Sequence, residues 1–356
     1  MKIAILGCGA IGGLAGAYMA LNGEDVVFID ANIDHVKAIR EKGIFIDGCR
    51  GDIHVPPQKA FTPQEMTEPL EAVFLACKTQ HTVDAVNGIM HLLGPDSFVI
   101  SLQNGFNEEA IASIVGRDRT IGALPDYGGA YIDPGHLEYV HEGPVYVGEL
   151  DNKITPRVQE LRRLLAYNTK AYIPEDTNAR IWAKEVYFSQ VVTSALVDCP
   201  GKDVLYSEKG KRAAAASVRE MIELAYAKGF RLDSNEFFEP ELYMAKTPED
   251  TRKLFDFQDN ATSILYRQHR DKIDTHKYVK TGSGIHWDIV HRNRPSEVGH
   301  VAQYIWNAAN EIGFDVPINT KLFNMILEIE RGERQMGWHN IDELNDYIVS
   351  IGKQLP

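Results

Sequence analysis

Cysteine, long hydrophobic runs and clustered basic residues are all scarce in this sequence. The four cysteines, Cys8, Cys49, Cys77 and Cys199, stand far apart and form no Cys-X-X-Cys pair, so we expect free thiols of a reducing compartment. No apolar run approaches the roughly 18 residues of a membrane-spanning helix. A predicted strand starts at the N terminus and leaves no room for a signal peptide, which favours a cytoplasmic protein.

The chain is acidic overall. It has 37 basic and 50 acidic side chains, for a formal net charge of −13, and the basic residues form no block. We therefore expect neither nucleic acid nor a membrane surface as a partner. No HExxH or Cys/His spacing indicates a metal site, and we interpret His286, His291 and His300 as ordinary polar or partly buried histidines.

The first twenty residues carry the clearest signal. Ile3 to Leu6 are strand-forming residues, a glycine-rich turn follows, and Gly13 to Leu21 have the small and apolar side chains of a buried helix. This order is typical of a dinucleotide site, where the diphosphate binds to N–H groups at the positive end of the helix. The predicted cofactor-binding residues of the turn are Gly7, Gly9, Ala10, Ile11 and Gly12.

Each glycine of the turn has a separate task, and an acidic residue follows at the expected distance. Gly7 permits the tight turn, Gly9 lets the backbone approach the diphosphate, and Gly12 lets helix and strand pack closely. A second predicted strand, Asp25 to Ile29, ends at Asp30. A carboxylate there can accept both ribose hydroxyls of NAD and would repel the 2′-phosphate of NADP. The sequence therefore favours NAD, with NADP as the alternative.

Two further buried strands are predicted, and both end in polar residues. Ala72 to Cys77 and Phe98 to Leu102 are continuous apolar runs, as expected of parallel strands covered on both faces. Lys78 follows the first run and Asn104 the second. Open α/β sheets bind ligands at the carboxyl ends of their strands, so we expect both residues near the ligand.

The pattern changes from alternating strands and helices to long helices at about residue 175. We expect an α/β Rossmann dinucleotide-binding domain over residues 1–174, followed by an all-α C-terminal domain over residues 175–356. The helical domain is expected to bind the substrate and to join two copies into a homodimer. Within the first domain, a small β excursion is expected near residues 44–55 and a short helix at Thr62 to Met66. Residues after Gly332 are expected to form an appendage with one helix.

Several motifs together resemble the ketopantoate reductase (2-dehydropantoate 2-reductase) family over roughly residues 1–332. Each motif is modest alone, but their order and spacing are specific. The matching segments are GCGAIG at the start, ACKTQ around Lys78, SLQNGFNEEA around Asn104, WAKEV around Lys184, CPG at Cys199, RPSEVG around Glu297 and FDVPINTKLFNMI. The resemblance implies a Rossmann domain, a helical domain and reduction of a 2-keto acid with a nicotinamide cofactor.

The resemblance also implies catalytic roles. Lys184 matches the family's catalytic lysine, which hydrogen-bonds the substrate carbonyl and supplies the proton as hydride arrives. Glu297 matches a glutamate that binds the substrate or that lysine, and Asn104 and Lys78 match residues over the nicotinamide and the active-site cleft. From the residues alone, Lys184 could be an exposed helix lysine and Glu297 a carboxylate in a first helical turn. Lys78 and Asn104 could make simple loop hydrogen bonds.

The substrate-binding segments depart from the family pattern. The family usually has asparagines one and two turns after its catalytic lysine, whereas the segment from Glu185 to Thr193 contains none. Ser189 and Gln190 are the polar candidates for substrate contact in this rebuilt face. Ser283 is the nearest match to the family's serine-rich segment and a candidate for the substrate carboxylate. We therefore expect a small carboxylic acid other than pantoate, such as a bulkier or aromatic 2-hydroxy acid.

Three functions remain open at this stage. The first is an NAD-dependent dehydrogenase or reductase of 2-hydroxy and 2-keto acids, with Lys184 as general acid/base. The second is a dehydrogenase of a β-hydroxy acid or of an amino-acid-derived imine. The third is a nucleotide-sensing relative without turnover, against which Lys184, Asn104 and Glu297 argue.

Overall fold

The computed structural model describes residues 1–235, 237–273 and 282–356, with the backbone alone over residues 265–273. Its Cα positions divide the chain into two compact units. The first contains Met1–Asn178 and, of the described residues, also 268–273. The second contains Ala179–Arg267 and the described residues from 282 to the C terminus.

The first unit is built from strands and intervening helices. Its strands are β1 (Ile3–Leu6), β2 (Val26–Ile29), β3 (Ile44–Gly48), β4 (Ile53–Val55), β5 (Lys59–Phe61), β6 (Leu70–Leu75), β7 (Leu93–Ser101), β8 (Thr120–Pro125), β9 (Gly128–Asp133), β10 (His136–His141), β11 (Val145–Glu149) and β12 (Ala171–Tyr172). Its helices are α1 (Ala10–Leu21), α2 (Ile33–Lys42), α3 (Thr82–Ile89), α4 (Glu108–Val115) and α5 (Pro156–Leu165).

The larger sheet has the strand order β12-β11-β8-β7-β6-β1-β2-β5. β1 lies between β2 and β6 and is parallel to both, and the parallel arrangement continues through β7 and β8. Every residue of β1 and β2 is buried, because helices cover both faces of a parallel sheet. The carboxyl ends of β1, β2, β6 and β7 therefore lie along one edge. This is the predicted Rossmann arrangement.

Small residues let α1 lie close to this sheet. A Cβ at Gly16 would stand 2.6 Å from the Ile5 side chain and 2.7 Å from that of Phe28. On its other side α1 contacts a second sheet of order β4-β3-β10-β9. That sheet contains the β excursion predicted near residues 44–55.

The second unit is helical, as predicted. Its helices are α6 (Thr177–Ser194), α7 (Gly201–Tyr206), α8 (Glu208–Ala227), α9 (Pro240–Tyr243), α10 (Pro248–Ile273), α11 (Gly284–Val290), α12 (Val298–Asn310), α13 (Pro317–Glu330) and α14 (Trp338–Ser350). Two of them extend past the bounds of the unit, because α6 starts two residues before Ala179 and α10 continues beyond Arg267. None of the helices in the described part of the chain is long and apolar enough to cross a membrane.

The C-terminal appendage contains α14, which packs against α8 and α13. It also holds the end of α6, because Gly337 N–H and Asn340 Nδ2 both donate to the Leu196 carbonyl, at 2.9 and 3.0 Å. Asn340 is fully buried, and its Oδ1 accepts from Arg334. The appendage thus supplies partners for a backbone carbonyl just beyond a helix C terminus.

One local prediction was wrong. Thr62 to Met66 form a turn instead of a short helix. The Glu65 carboxylate accepts from Thr62 N–H and the Thr62 hydroxyl accepts from Glu65 N–H, which is the reciprocal capping pattern of a helix start. The chain leaves the helical path after one turn, so the cap is present without the helix.

Candidate functional site

The glycine turn after β1 brings the backbone into direct contact with β6. Gly7 has φ +94°, and its N–H donates to the Ile29 carbonyl at 2.8 Å. A Cβ at Gly7 would stand 2.5 Å from the Cys77 nitrogen, and one at Gly12 would stand 2.3 Å from the Gly7 oxygen. Both clashes involve backbone atoms that cannot rotate away. The fold itself therefore requires glycine at these two positions.

Gly9 differs, because the fold does not require it. It precedes the first turn of α1 with extended backbone, and no described atom lies within 4 Å of a Cβ built there. Ala10 and Ile11 follow in the first turn, where N–H groups have no partner within the helix. The space beside Gly9 and these N–H groups fits the diphosphate of a dinucleotide. The residues around Gly9 therefore fit a bound dinucleotide.

Asp30 lies at the end of β2, beside this turn. One carboxylate oxygen accepts from Cys8 N–H at 2.7 Å, and the other accepts from Asn32 N–H at 2.8 Å. Asp30 thus stabilises the glycine turn and the start of α2. Each oxygen retains a second acceptor position, so the carboxylate can still accept a ribose hydroxyl.

His35 supports the same turn, although no sequence pattern selects it. It is buried on α2, its Nδ1 accepts from Gly135 N–H at 2.9 Å, and its Nε2 lies 2.8 Å from the Cys8 carbonyl. A backbone N–H can only donate, so the hydrogen is on Nε2 and donates to Cys8. Burial lowers the pKa of His35, which favours this neutral form. The ring connects the glycine turn to the loop between β9 and β10.

Lys78 and Asn104 follow β6 and β7, which are adjacent strands. Lys78 is half-buried and Asn104 is exposed. Their segments are joined directly, because the Thr79 hydroxyl donates to the Asn104 carbonyl at 2.9 Å. The structure therefore brings Gly7, Asp30, Lys78 and Asn104 to the carboxyl edge of one sheet, each after a different strand.

Glu108 is a buried carboxylate at the start of α4, in the same segment as Asn104. Burial raises its pKa to about 7, and backbone hydrogen bonds offset part of that rise. One of them is from Asn107 N–H, at 3.1 Å. A carboxyl group with so raised a pKa beside a candidate binding site is unusual.

In the second unit, Lys184 is half-buried on α6 between the buried residues Ala183 and Glu185. Glu297 is 9% exposed and immediately precedes α12. Among the described side chains it is Ser296 that accepts from Val298 N–H there, whereas the Glu297 carboxylate does not cap the helix.

The three predicted substrate-contact residues have structural roles of their own. Ser283 caps α11 by accepting from His286 N–H at 3.1 Å. Ser189 is 1% exposed and its hydroxyl donates to the Val186 carbonyl. Gln190 is 3% exposed, and its Oε1 accepts from Tyr243 and Gln258. Their contact with substrate stays a prediction, and for Ser189 and Gln190 burial within the helical unit competes with it.

Among the described residues, no three or more His, Cys, Asp or Glu side chains lie together in a group that could hold a metal ion. His286 instead pairs with Asp198, at 3.1 Å between Nε2 and Oδ1, and packs against the ring of His291.

Two family models match the chain. The model described as "Ketopantoate reductase PanE/ApbA" matches residues 3–152, and "Ketopantoate reductase PanE/ApbA C terminal" matches residues 176–330. The 2-dehydropantoate 2-reductase of Pyrococcus abyssi is 26% identical over 331 residues, which cover 92% of this chain and 97% of that protein. The enzyme of the same name from Pyrococcus horikoshii is 30% identical over 279 residues, which cover 77% of this chain and 87% of that protein.

Solved structures have the same fold. The 2-dehydropantoate 2-reductase of Geobacter metallireducens GS-15 matches with a TM-score of 0.76 and 22% identity, covering 92% of this chain and 99% of that chain. A D-mandelate dehydrogenase solved with NADH and anilino(oxo)acetate matches with a TM-score of 0.74 and 17% identity, covering 97% of this chain and 100% of that chain.

Proposed function

Because this chain belongs to the ketopantoate reductase family, we propose that it transfers hydride between a nicotinamide cofactor and the reacting carbon of a 2-keto or 2-hydroxy acid. It is an oxidoreductase that acts on a CH–OH group, as its relatives are. The observation that carries the proposal is the glycine turn. Of its glycines Gly7, Gly9 and Gly12, only Gly9 is not required by the protein's own packing. A bound diphosphate does require it, because the backbone must come close to the phosphates there.

NAD is the proposed cofactor, with NADP as the alternative. Asp30 places a carboxylate at the end of β2, where it would repel a 2′-phosphate. The nearest arginine downstream, Arg40, already donates to the Ala60 carbonyl at 2.6 Å and to Glu65 at 3.1 Å. It is therefore engaged away from the ribose site. The D-mandelate dehydrogenase of similar fold was solved with NADH, which accords with this choice.

Lys184 is the proposed general acid and base. The cofactor, when bound, supplies or takes up the hydride. In the reducing direction the carbonyl oxygen gains the electron pair of the C=O bond and takes a proton from the Lys184 ammonium group, giving the hydroxyl. Lys184 is then reprotonated from solvent. Glu297 would orient Lys184 or the substrate, and Asn104 would hold the substrate oxygen, where a preorganised donor stabilises developing negative charge.

The substrate side chain is proposed to be apolar. Tyr187, Phe188 and Val191 follow Lys184 by three, four and seven residues, so they share its face of α6. All three are partly exposed. Apart from the Tyr187 hydroxyl, which lies 3.5 Å from Gln190 Nε2, a substrate hydroxyl beside this face would meet apolar atoms where the family usually has asparagine amides, and an unpaired polar group is costly to bury. We therefore propose a 2-hydroxy acid with an apolar or aromatic side chain in place of pantoate.

The function is tested by following reduced cofactor in absorbance, with NAD or NADP and a panel of 2-hydroxy and 2-keto acids. Apolar and aromatic acids should give a higher kcat/KM than pantoate or its keto form. Absence of turnover with every acid and both cofactors would refute the enzyme function. Turnover confined to β-hydroxy acids or imines would replace the substrate class.

Lys184→Ala should lower kcat by about 10² or more, because proton transfer by a positioned group contributes 10² to 10⁴. The kcat of Lys184→Arg should be almost as low, because arginine keeps the charge but cannot release a proton near neutral pH. The matched control is Lys253→Ala, which removes an exposed helix lysine paired with Glu249. Equal kcat in Lys184→Ala and Lys253→Ala would remove Lys184 from the mechanism.

Homodimer formation and a cytoplasmic location stay predictions from the sequence.

A further inference from the structure

Four polar side chains connect the segments that follow β6 and β7. We call Thr79, Thr82, Gln103 and Asn107 the polar bridge. Three of them are buried: Asn107 is 1% exposed, Thr82 2% and Gln103 6%. Buried polar groups cost free energy unless their hydrogen bonds are made. The three buried members therefore stabilise the fold only where their hydrogen bonds are made, and Gln103 Oε1 has no partner in the described part of the chain.

The amide hydrogens of the polar bridge are all used. Gln103 Nε2 donates to the Cys77 carbonyl at 2.8 Å and to the Thr82 hydroxyl at 2.9 Å. The Thr82 hydroxyl donates to Asn107 Oδ1 at 3.0 Å. Asn107 Nδ2 donates to the Asn104 carbonyl at 2.7 Å and more weakly to the Thr79 hydroxyl at 3.4 Å. The Thr79 hydroxyl in turn donates to the Asn104 carbonyl.

These directions fix the orientation of the Asn107 amide. Its oxygen must face Thr82, whose hydroxyl hydrogen is directed to it, and its nitrogen must face the Asn104 carbonyl, which can only accept. Gly105, with φ +85°, lies in the turn that returns the chain so that Asn107 reaches back to Asn104. A single amide therefore connects the end of one strand to the segment after its neighbour.

The polar bridge holds the backbone at or beside two candidate site residues, Lys78 and Asn104. Its acceptors are the carbonyls of Cys77, which precedes Lys78, and of Asn104 itself. The Asn104 side chain is attached to one of these two held residues, and the Lys78 side chain to the residue after the other. Their relative placement therefore depends on the bridge.

We propose that Asn107 is a positioning residue for the reaction. It fixes the Asn104 backbone against the segment of Thr79, and so sets where the Asn104 and Lys78 side chains meet cofactor and substrate. The inference rests on the proposed function. Asn107 itself touches no reacting atom, so its effect is on catalytic geometry, where a displacement of about 1 Å can cost 10²-fold in rate.

The test is Asn107→Asp, which keeps the shape of the side chain and removes both Nδ2 hydrogens. The new carboxylate oxygen would face the Asn104 carbonyl, and the two would repel. We expect kcat to fall about tenfold or more. The dissociation constant of ADP-ribose, which lacks the nicotinamide and depends on the glycine turn, should change by less than about twofold. Thr82→Val, which removes the donor to Asn107 Oδ1 with little change in volume, should reduce kcat in the same direction and by less.

Asn87→Asp is the matched control, because it makes the same chemical change at an exposed position of α3. It should leave kcat and ADP-ribose binding at wild-type values. A kcat for Asn107→Asp equal to that of Asn87→Asp would overturn the proposal. So would an equal loss of kcat and ADP-ribose affinity, since that would show general damage to the unit. If the wild type has no turnover, the proposed function fails and this inference with it; if the wild type is active and both bridge variants match it, only this inference fails.

Discussion

The buried carboxyl group of Glu108 should make the stability of the first unit fall as pH rises. Its pKa is raised to about 7 from an ordinary value of 4.5, with burial as the largest cause. Between these two values the folded chain binds a proton that the unfolded chain releases. Stability therefore decreases with increasing pH across this window and levels off above about pH 7.

Replacement of Glu108 by glutamine removes this dependence. A shift of about 2.5 pKa units corresponds to about 3 kcal/mol, of which roughly 2 to 3 kcal/mol should develop between about pH 5 and 8. Glutamine cannot ionise, so any cost of its buried amide hydrogens is nearly the same at both pH values. Relative to wild type, Glu108→Gln should thus gain about 2 to 3 kcal/mol of stability on going from pH 5 to pH 8.

Urea unfolding at several pH values measures this difference. The tryptophans Trp182, Trp287, Trp306 and Trp338 all lie in the second unit, so unfolding of the first unit is better followed by far-ultraviolet circular dichroism. Glu109→Gln is the control, because it makes the same charge change at the next residue, which is exposed and paired with Arg117. If Glu108→Gln and Glu109→Gln show the same pH dependence, the buried carboxyl group titrates normally and the reasoning is wrong.

Two further substitutions test the cofactor site. Gly12→Ala would place a Cβ 2.3 Å from the Gly7 oxygen and 2.6 Å from Ala76 Cβ, so it should lower the free energy of unfolding by about 1 to 3 kcal/mol or more, as measured in urea. The Cβ of Gly9→Ala meets no described atom, so this substitution should lower the free energy of unfolding by less than Gly12→Ala does. It should weaken cofactor binding at least as much as Gly12→Ala. A loss of stability as large as that of Gly12→Ala would contradict the assignment of Gly9 to the ligand. Asp30→Asn keeps one acceptor oxygen for the turn and removes the negative charge. The ratio of kcat/KM for NADP to kcat/KM for NAD should therefore rise about tenfold, as expected when about 1.4 kcal/mol of repulsion is removed. An unchanged ratio would leave the choice of NAD without support.

Local spacing was sufficient to predict the strand, the glycine turn and the helix that form the candidate cofactor site. The strand, glycine turn and helix are contiguous in the chain, and Gly7 and Gly12 are required by contacts within that short segment and with β6. Asp30 follows at a fixed distance, because one helix and one strand of ordinary length separate it from the turn. The family motifs added Lys184 and Glu297, whose roles no local pattern indicates.

Local patterns are less informative where a residue's partner is distant in sequence. The helix predicted at Thr62 to Met66 had the correct capping residues, but the chain turns after them. Ser189 and Gln190 were selected for polarity on a helix face; the tertiary packing buries both, and their contact with substrate stays a prediction. His35 was overlooked because its partners, Cys8 and Gly135, are 27 and 100 residues away in the chain.

The sequence by itself determined the order of strands and helices, the glycine turn and the acidic residue after β2, because these depend on backbone conformation and on neighbours within a few residues. Only the tertiary structure decided which polar side chains are buried, which of them support the turn and the strand ends, and that Glu108 titrates near pH 7. Burial and hydrogen bonding between distant segments depend on how the elements pack, and no local pattern encodes that packing.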